Sequence, residues 1–124
     1  MSETLHREFT ITQEQVNRYA EVSDDHNPLH LDPDFARERG FSGTIAHGLL
    51  TLGLVSAALA EWLGDSWAKG GRLDARFSAP VVVGSVMHLD VTRADGGSEE
   101  EYRAEARVGD VVVIRATARM GGER

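Results

Sequence analysis

AHGLLTLGLVSAALAEWL, running from Ala46 to Leu63, is the longest largely apolar stretch of the chain, interrupted only by His47, Glu61 and a few small residues. A helix drawn over His47 to Leu63 carries Leu50, Leu52, Leu54, Val55, Leu59 and Trp62 on nearly all of its sides. A helix that is apolar all round is wrapped by the rest of its protein. The stretch is too short and too interrupted to read as a membrane span. Gly48 and Gly53 each lower helix propensity by about 1 kcal/mol relative to alanine. Their presence points to something approaching the backbone closely. Gly64 reads as the stop.

Beyond the helix the period changes from about 3.6 to 2. Leu73, Ala75 and Phe77 alternate with charged or polar residues, as do Met87, Leu89 and Val91. The same holds for Tyr102, Ala104, Ala106 and Val108, and for Val112, Ile114, Ala116, Ala118 and Met120. Four such segments predict an antiparallel sheet with one wet face. Gly96-Gly97 and Gly109-Asp110 mark turns between strands. Helices do not alternate with these strands, so the class is α+β: a long central helix wrapped by a curled antiparallel sheet.

Before the helix, Leu5 to Ile11 reads as a first strand. Thr12 and Gln15 have capping-box spacing, and Val16, Tyr19, Ala20 and Val22 recur at helical spacing, which predicts a helix over Gln13 to Val22. Ser23 to Leu31 contains Asn27-Pro28 and reads as an ordered loop. Asp32-Pro33 reads as the cap and first position of a short helix ending near Gly40, and Phe41 to Ala46 as a loop.

The chain has 124 residues, which predicts one domain over residues 1–124. A hydrophobic share of 41% is ordinary for a folded protein. With no cysteine there is no disulfide, thiolate metal site or cysteine nucleophile, and the composition fits a cytoplasmic protein. A net charge of −7 argues against nucleic acid and against an anionic membrane surface as partners. The first eight residues lack the apolar core of a signal peptide.

The densest polar cluster is Ser23-Asp24-Asp25-His26-Asn27-Pro28-Leu29-His30. A proline-stiffened turn can aim Asp25 and His30 at one point. A carboxylate and an imidazole around one water can hold it and exchange protons with it. Turn formers such as Asp, Asn and Pro also build plain solvated loops. Asp24, Asp25, His26 and His30 are all possible metal ligands. Pro28 keeps His26 and His30 from stacking one helical turn apart, and the spacing does not fit a calcium loop; the expectation is no metal. Ala46-His47-Gly48 opens the long helix, where unpaired N–H groups carry partial positive charge and glycine admits a ligand oxygen. Gly48 also reads simply as a relief of crowding, and His47 as a turn cap.

Together these motifs resemble the MaoC-like dehydratases, the R-specific enoyl-CoA hydratases of hotdog fold. The signature matches at Tyr19, Ser23, Asp25, Asn27, Pro28, Leu29 and His30, the helix opening at Ala46 to Leu50, and a later strand motif at Phe77 to Val81 with Gly84. Asp24 departs from the pattern, standing where glycine is usual, and is expected to face outward. Gly53 stands near the place where some relatives carry a serine, so that hydroxyl is expected to be missing.

The resemblance implies a single hotdog domain and reversible hydration of a trans-2-enoyl thioester to an (R)-3-hydroxyacyl thioester. Asp25 and His30 would be catalytic. Asn27, Gly48 and His47 would bind substrate: the Gly48 N–H would hold the thioester oxygen, and Asn27 would orient His30 or the water. No cofactor is implied; the acyl group would ride on coenzyme A or on the phosphopantetheine of an acyl carrier protein. Lys69, Arg72 and Arg76 are candidate phosphate contacts, and Trp62 and Trp67 candidate limits on an acyl tunnel. A curled sheet has free edges, and the resemblance implies a homodimer. A hotdog thioesterase and a noncatalytic acyl-thioester-binding or heterodimer subunit are the alternatives.

Overall fold

A computed structural model describes residues 4–94 and 100–121; the predicted Gly96-Gly97 turn lies outside them. The first strand, β1, spans Thr4–Thr10. Thr12 then caps helix α1, Gln13–Ser23, with the full reciprocal capping box to Gln15. Val16 and Ala20 of α1 are buried. Val22 is 87% exposed and belongs to the wet face of that helix.

Part of the stretch read as loop is helical. Pro28–Leu31 forms a one-turn helix, α2, capped by the Asn27 side chain, which accepts from the Leu29 N–H at 3.0 Å. The proline that argued against a helix sits at its first position, where no N–H is needed and φ is already right. Helix α3, Pro33–Glu38, follows, with the Asp32 carboxylate accepting from Asp34 and Phe35.

The long apolar stretch is helix α4, Gly48–Leu63, ended by Gly64 with a φ of 74°. A short helix α5, Asp65–Gly70, leads to β2, Arg72–Phe77. Strands β3 (Val86–Ala94), β4 (Glu100–Val108) and β5 (Val111–Met120) complete a fully antiparallel sheet of order β1-β3-β4-β5-β2.

One sheet face packs on α4, and Val55, Leu59, Met87, Leu89, Val91 and Ile114 there are essentially inaccessible. The sheet of one chain covers one side of α4, burying Thr51, Val55, Ala58 and Leu59 and leaving Leu49 66% exposed. The other sheet face is charged. The predicted alternation fails twice. In β5 the register shifts at Ala106/Arg107, so that Arg107 faces Val112 and Ala106 faces Ile114. This bulge turns Val113 inward beside Ile114 and Val112 partly outward. In β2, Ala75 and Phe77 point to the helix side yet stay exposed, because β2 is an edge strand.

Candidate active site

His30 is held from three directions. The Ile45 N–H donates to the Leu29 carbonyl at 3.0 Å. The Gln13 amide donates to the His30 carbonyl at 2.9 Å, while its oxygen accepts from the buried Thr44 hydroxyl. Ile45 itself bridges to Val82 in the β2–β3 connection. The His30 ring then donates from Nδ1 to the Ile45 carbonyl at 2.7 Å. A carbonyl can only accept, so Nδ1 carries the proton and the neutral ring offers a lone pair at Nε2.

That Nε2 lies 4.0 Å from Oδ2 of Asp25. A water about 2.8 Å from each atom fits astride such a gap. Asp25 is placed by local turns: its N–H bonds the Ser23 hydroxyl and its Oδ1 accepts from the Asn27 N–H, both at 3.2 Å. Its side chain is about half exposed, against 13% for His30, so the pair spans solvent and interior.

His47 occupies the capping position of α4 but does not cap it. Its Nε2 donates to the Asp25 carbonyl at 3.0 Å. Its ring stacks on His30 with centroids 3.7 Å apart and tilts against Tyr19 at 4.8 Å. His47 is therefore a brace that fastens the Asp25 turn to the helix start. The side chain is 3% exposed, and its Nδ1 is buried with no hydrogen-bond partner among the described residues. Because His47 turns away, the first N–H groups of α4, Gly48 included, remain available.

Two cavities meet here. One, of about 410 Å³, is lined by Tyr19, Ser23, Asp25, His30, His47 and Gly48 among others. The second, about 400 Å³, is largely apolar, with Ile45, Ala79, Pro80, Val81 and Ile114 in its wall. His30, Gly48 and Phe77 line both. The Phe77 ring lies so close to Gly48 that a Cβ there would stand 3.2 Å from it. Glycine is what lets the ring and the helix start share this space.

Some expectations need correction. Asn27 does not orient the imidazole or a water through its carbonyl; that oxygen caps α2 and so shapes the turn that carries His30. A hydroxyl that the sequence reading did not single out, that of Thr51 one turn into the helix, is buried, bonds the Gly48 carbonyl and lines the apolar cavity. Gly53 lies on the exposed side. Arg72 and Arg76 alternate with Leu73 and Phe77, and so stand on the sheet face away from the cavities. Trp67 is core, donating to Ser56, and Trp62 packs edge-on against Tyr102; neither lines these cavities. Asp24 faces outward as expected, 95% exposed.

Donor atoms of Asp25, His30 and His47 lie within 4.8 Å of one another. The two rings lie face to face with centroids 3.7 Å apart, closer than two imidazoles that share one ion. That arrangement suits a brace better than a metal.

Residues 2–116 match the family described as MaoC like domain. The 3-hydroxybutyryl-CoA dehydratase of Methylorubrum extorquens is 36% identical over 121 residues, covering 95% of this chain and 76% of that protein. The (R)-specific enoyl-CoA hydratase of Rhodospirillum rubrum is 32% identical over 112 residues, covering 88% and 78%. The (R)-hydratase from A. caviae involved in PHA biosynthesis superposes with a TM-score of 0.82 at 24% identity, covering 96% of this chain and 94% of that one, a likeness of fold. Two longer curated relatives also match, and the chain spans 14% and 33% of their lengths.

Proposed function

This chain belongs to the MaoC-like domain family, and from that premise we propose that it adds water reversibly to trans-2-enoyl thioesters, giving (R)-3-hydroxyacyl thioesters. The observation that carries the reading is the 4.0 Å approach of His30 Nε2 to Asp25 Oδ2 in a cavity that also holds the uncapped start of α4.

Asp25 and His30 hold one water. One of them takes a proton from it as the oxygen bonds C3, and the other delivers a proton to C2. Hydroxyl and hydrogen are thus added across the double bond, and the proton displaced between the two groups returns through solvent. As C3 is attacked, charge moves to the thioester oxygen, and the Gly48 N–H is the donor suited to meet it. Loss of such a donor costs about 3–4 kcal/mol at the transition state. His47 keeps the carboxylate on station, and the apolar cavity suits the acyl chain.

No cofactor takes part in these steps; coenzyme A or phosphopantetheine serves as the handle of the substrate. The chain acts as a homodimer, a reading supported by the exposed edge of β2 and by Leu49 and Phe77, 66% and 49% exposed on the helix side. The cysteine-free composition is compatible with the cytoplasm as its compartment. Crotonyl-CoA tests the function. Hydration removes the enone absorbance and yields 3-hydroxybutyryl-CoA. Release of free thiol instead would make the protein a thioesterase, and loss of neither absorbance nor thioester would make it a binding subunit.

A further inference from the structure

On the charged face of the sheet, far in sequence from the acid–base turn, β1 and β3 bring four side chains into one block. His6 and Glu8 lie two residues apart on β1 and so share a face. Their direct cross-strand partners are Asp90 and His88. Donor atoms of His6, Glu8 and His88 lie within 4.8 Å of one another. We infer that His6, Glu8 and His88 form a binding site for a divalent transition-metal ion, separate from the acid–base centre, with Asp90 orienting the His6 ring.

The geometry differs from that at His30 and His47 in the respect that matters. The His6 and His88 rings are inclined by the same 25°, but their centres are 5.9 Å apart. Two imidazoles on one ion, each at about 2.0–2.1 Å through nitrogen, place their ring centres ~5–6 Å apart. Face-to-face rings at 3.7 Å do not. His6 is also already set for ligation. Its Nδ1 bonds Asp90 Oδ1 at 2.8 Å, and its Nε2 looks toward Glu8 Oε2 at 3.8 Å. A ligand histidine commonly gives its other ring nitrogen to a carboxylate, which fixes the tautomer and strengthens the donor. Asp90 is in turn anchored by Arg107 at 3.4 Å, and that guanidinium also reaches Glu105 at 3.5 Å. Two cations border the block: Arg107, directly across from His88, is shared between these two carboxylates, and Arg7 donates to the His6 carbonyl and to Glu61.

Two imidazoles and a carboxylate select zinc, nickel or copper over magnesium or calcium, which take oxygen donors. Three protein ligands leave a position for water or for a donor from another molecule. His6 and Glu8 are each more than half exposed and β1 is an edge strand, so that position is open to solvent.

The test is zinc binding by calorimetry and equilibrium dialysis on full-length protein without a histidine tag. The expected result is about one zinc per chain, with affinity lowered tenfold or more in His6→Ala and in His88→Ala, and lowered less in Asp90→Asn. Melting curves would confirm that these substitutions, at exposed or partly buried positions, leave the fold intact. His30→Ala should retain the full stoichiometry. Two results would overturn the inference: no stoichiometric zinc at tens of micromolar, or zinc binding that persists in His6→Ala and His88→Ala but is lost in His30→Ala. The latter would move the ion to the acid–base turn. Neither result depends on hydratase activity.

Discussion

Asp24 ends α1 in the left-handed region, with φ 61° and ψ 24°, the one non-glycine residue among those described with positive φ. Aspartate tolerates that conformation and a β-branched residue does not. Asp24→Gly should therefore keep both melting temperature and hydration rate, whereas Asp24→Val should lose about 1–2 kcal/mol of stability in denaturant unfolding. The same geometry explains why the family pattern favours glycine here, which the residue string alone left as an anomaly. Phe77 lines both the polar cavity and the apolar one where they meet. Phe77→Ala should widen that junction and raise kcat/KM for long enoyl thioesters relative to crotonyl-CoA by about tenfold, read from parallel rate measurements. An unchanged ratio would show that the ring limits nothing. The convergence of Asp25 and His30 was legible because both residues lie within one turn. Thr51, Gln13 and Thr44 were not, because their roles arise from contacts across 3 to 31 positions that no local pattern encodes.

Among the elements, α1, α4 and all five strands follow from periodicity, caps and glycine stops, since each signal lies inside its own segment. α2 was missed because Asn27-Pro28 serves a turn and a helix start equally well, and only the Leu29 N–H captured by Asn27 decides between them. The β5 bulge was missed because its phase shift depends on the partner strand. Close packing between elements yields a further prediction. A Cβ at Gly71 would lie 2.2 Å from the ring of Trp67, which is buried and bonded to Ser56. Gly71→Ala should displace that ring and cost about 1–3 kcal/mol in unfolding free energy, with near-ultraviolet circular dichroism reporting the altered tryptophan. At Gly53, where nothing lies within 4 Å, alanine should instead leave stability unchanged or slightly raised.

At the scale of the whole molecule, one sheet face and one helix face are satisfied within the chain, and the edge of β2 with Leu49 and Phe77 is not. Light scattering at micromolar concentration should give twice the chain mass, and a persistent monomer would remove the proposed assembly. The outer face adds an acid-sensitive element. The His6 hydrogen bond foremost, with the charges of His6 and Arg107, holds the Asp90 carboxyl below the usual carboxylate range against the opposing effect of burial. A depressed carboxyl adds its stability in full above its unfolded value and loses it as the pH falls through the folded one. Asp90→Asn should thus lower stability near neutrality and flatten the acid limb, converging with wild type at low pH, as read by urea unfolding across pH. The enzymatic account itself rests on Asp25 and His30 sharing one water. Initial rates of crotonyl-CoA hydration for wild type, Asp25→Asn and His30→Ala, each checked for an intact melting transition, test it most directly. The account predicts losses of about 10²-fold or more in both variants; near wild-type rates in folded protein of both would contradict it.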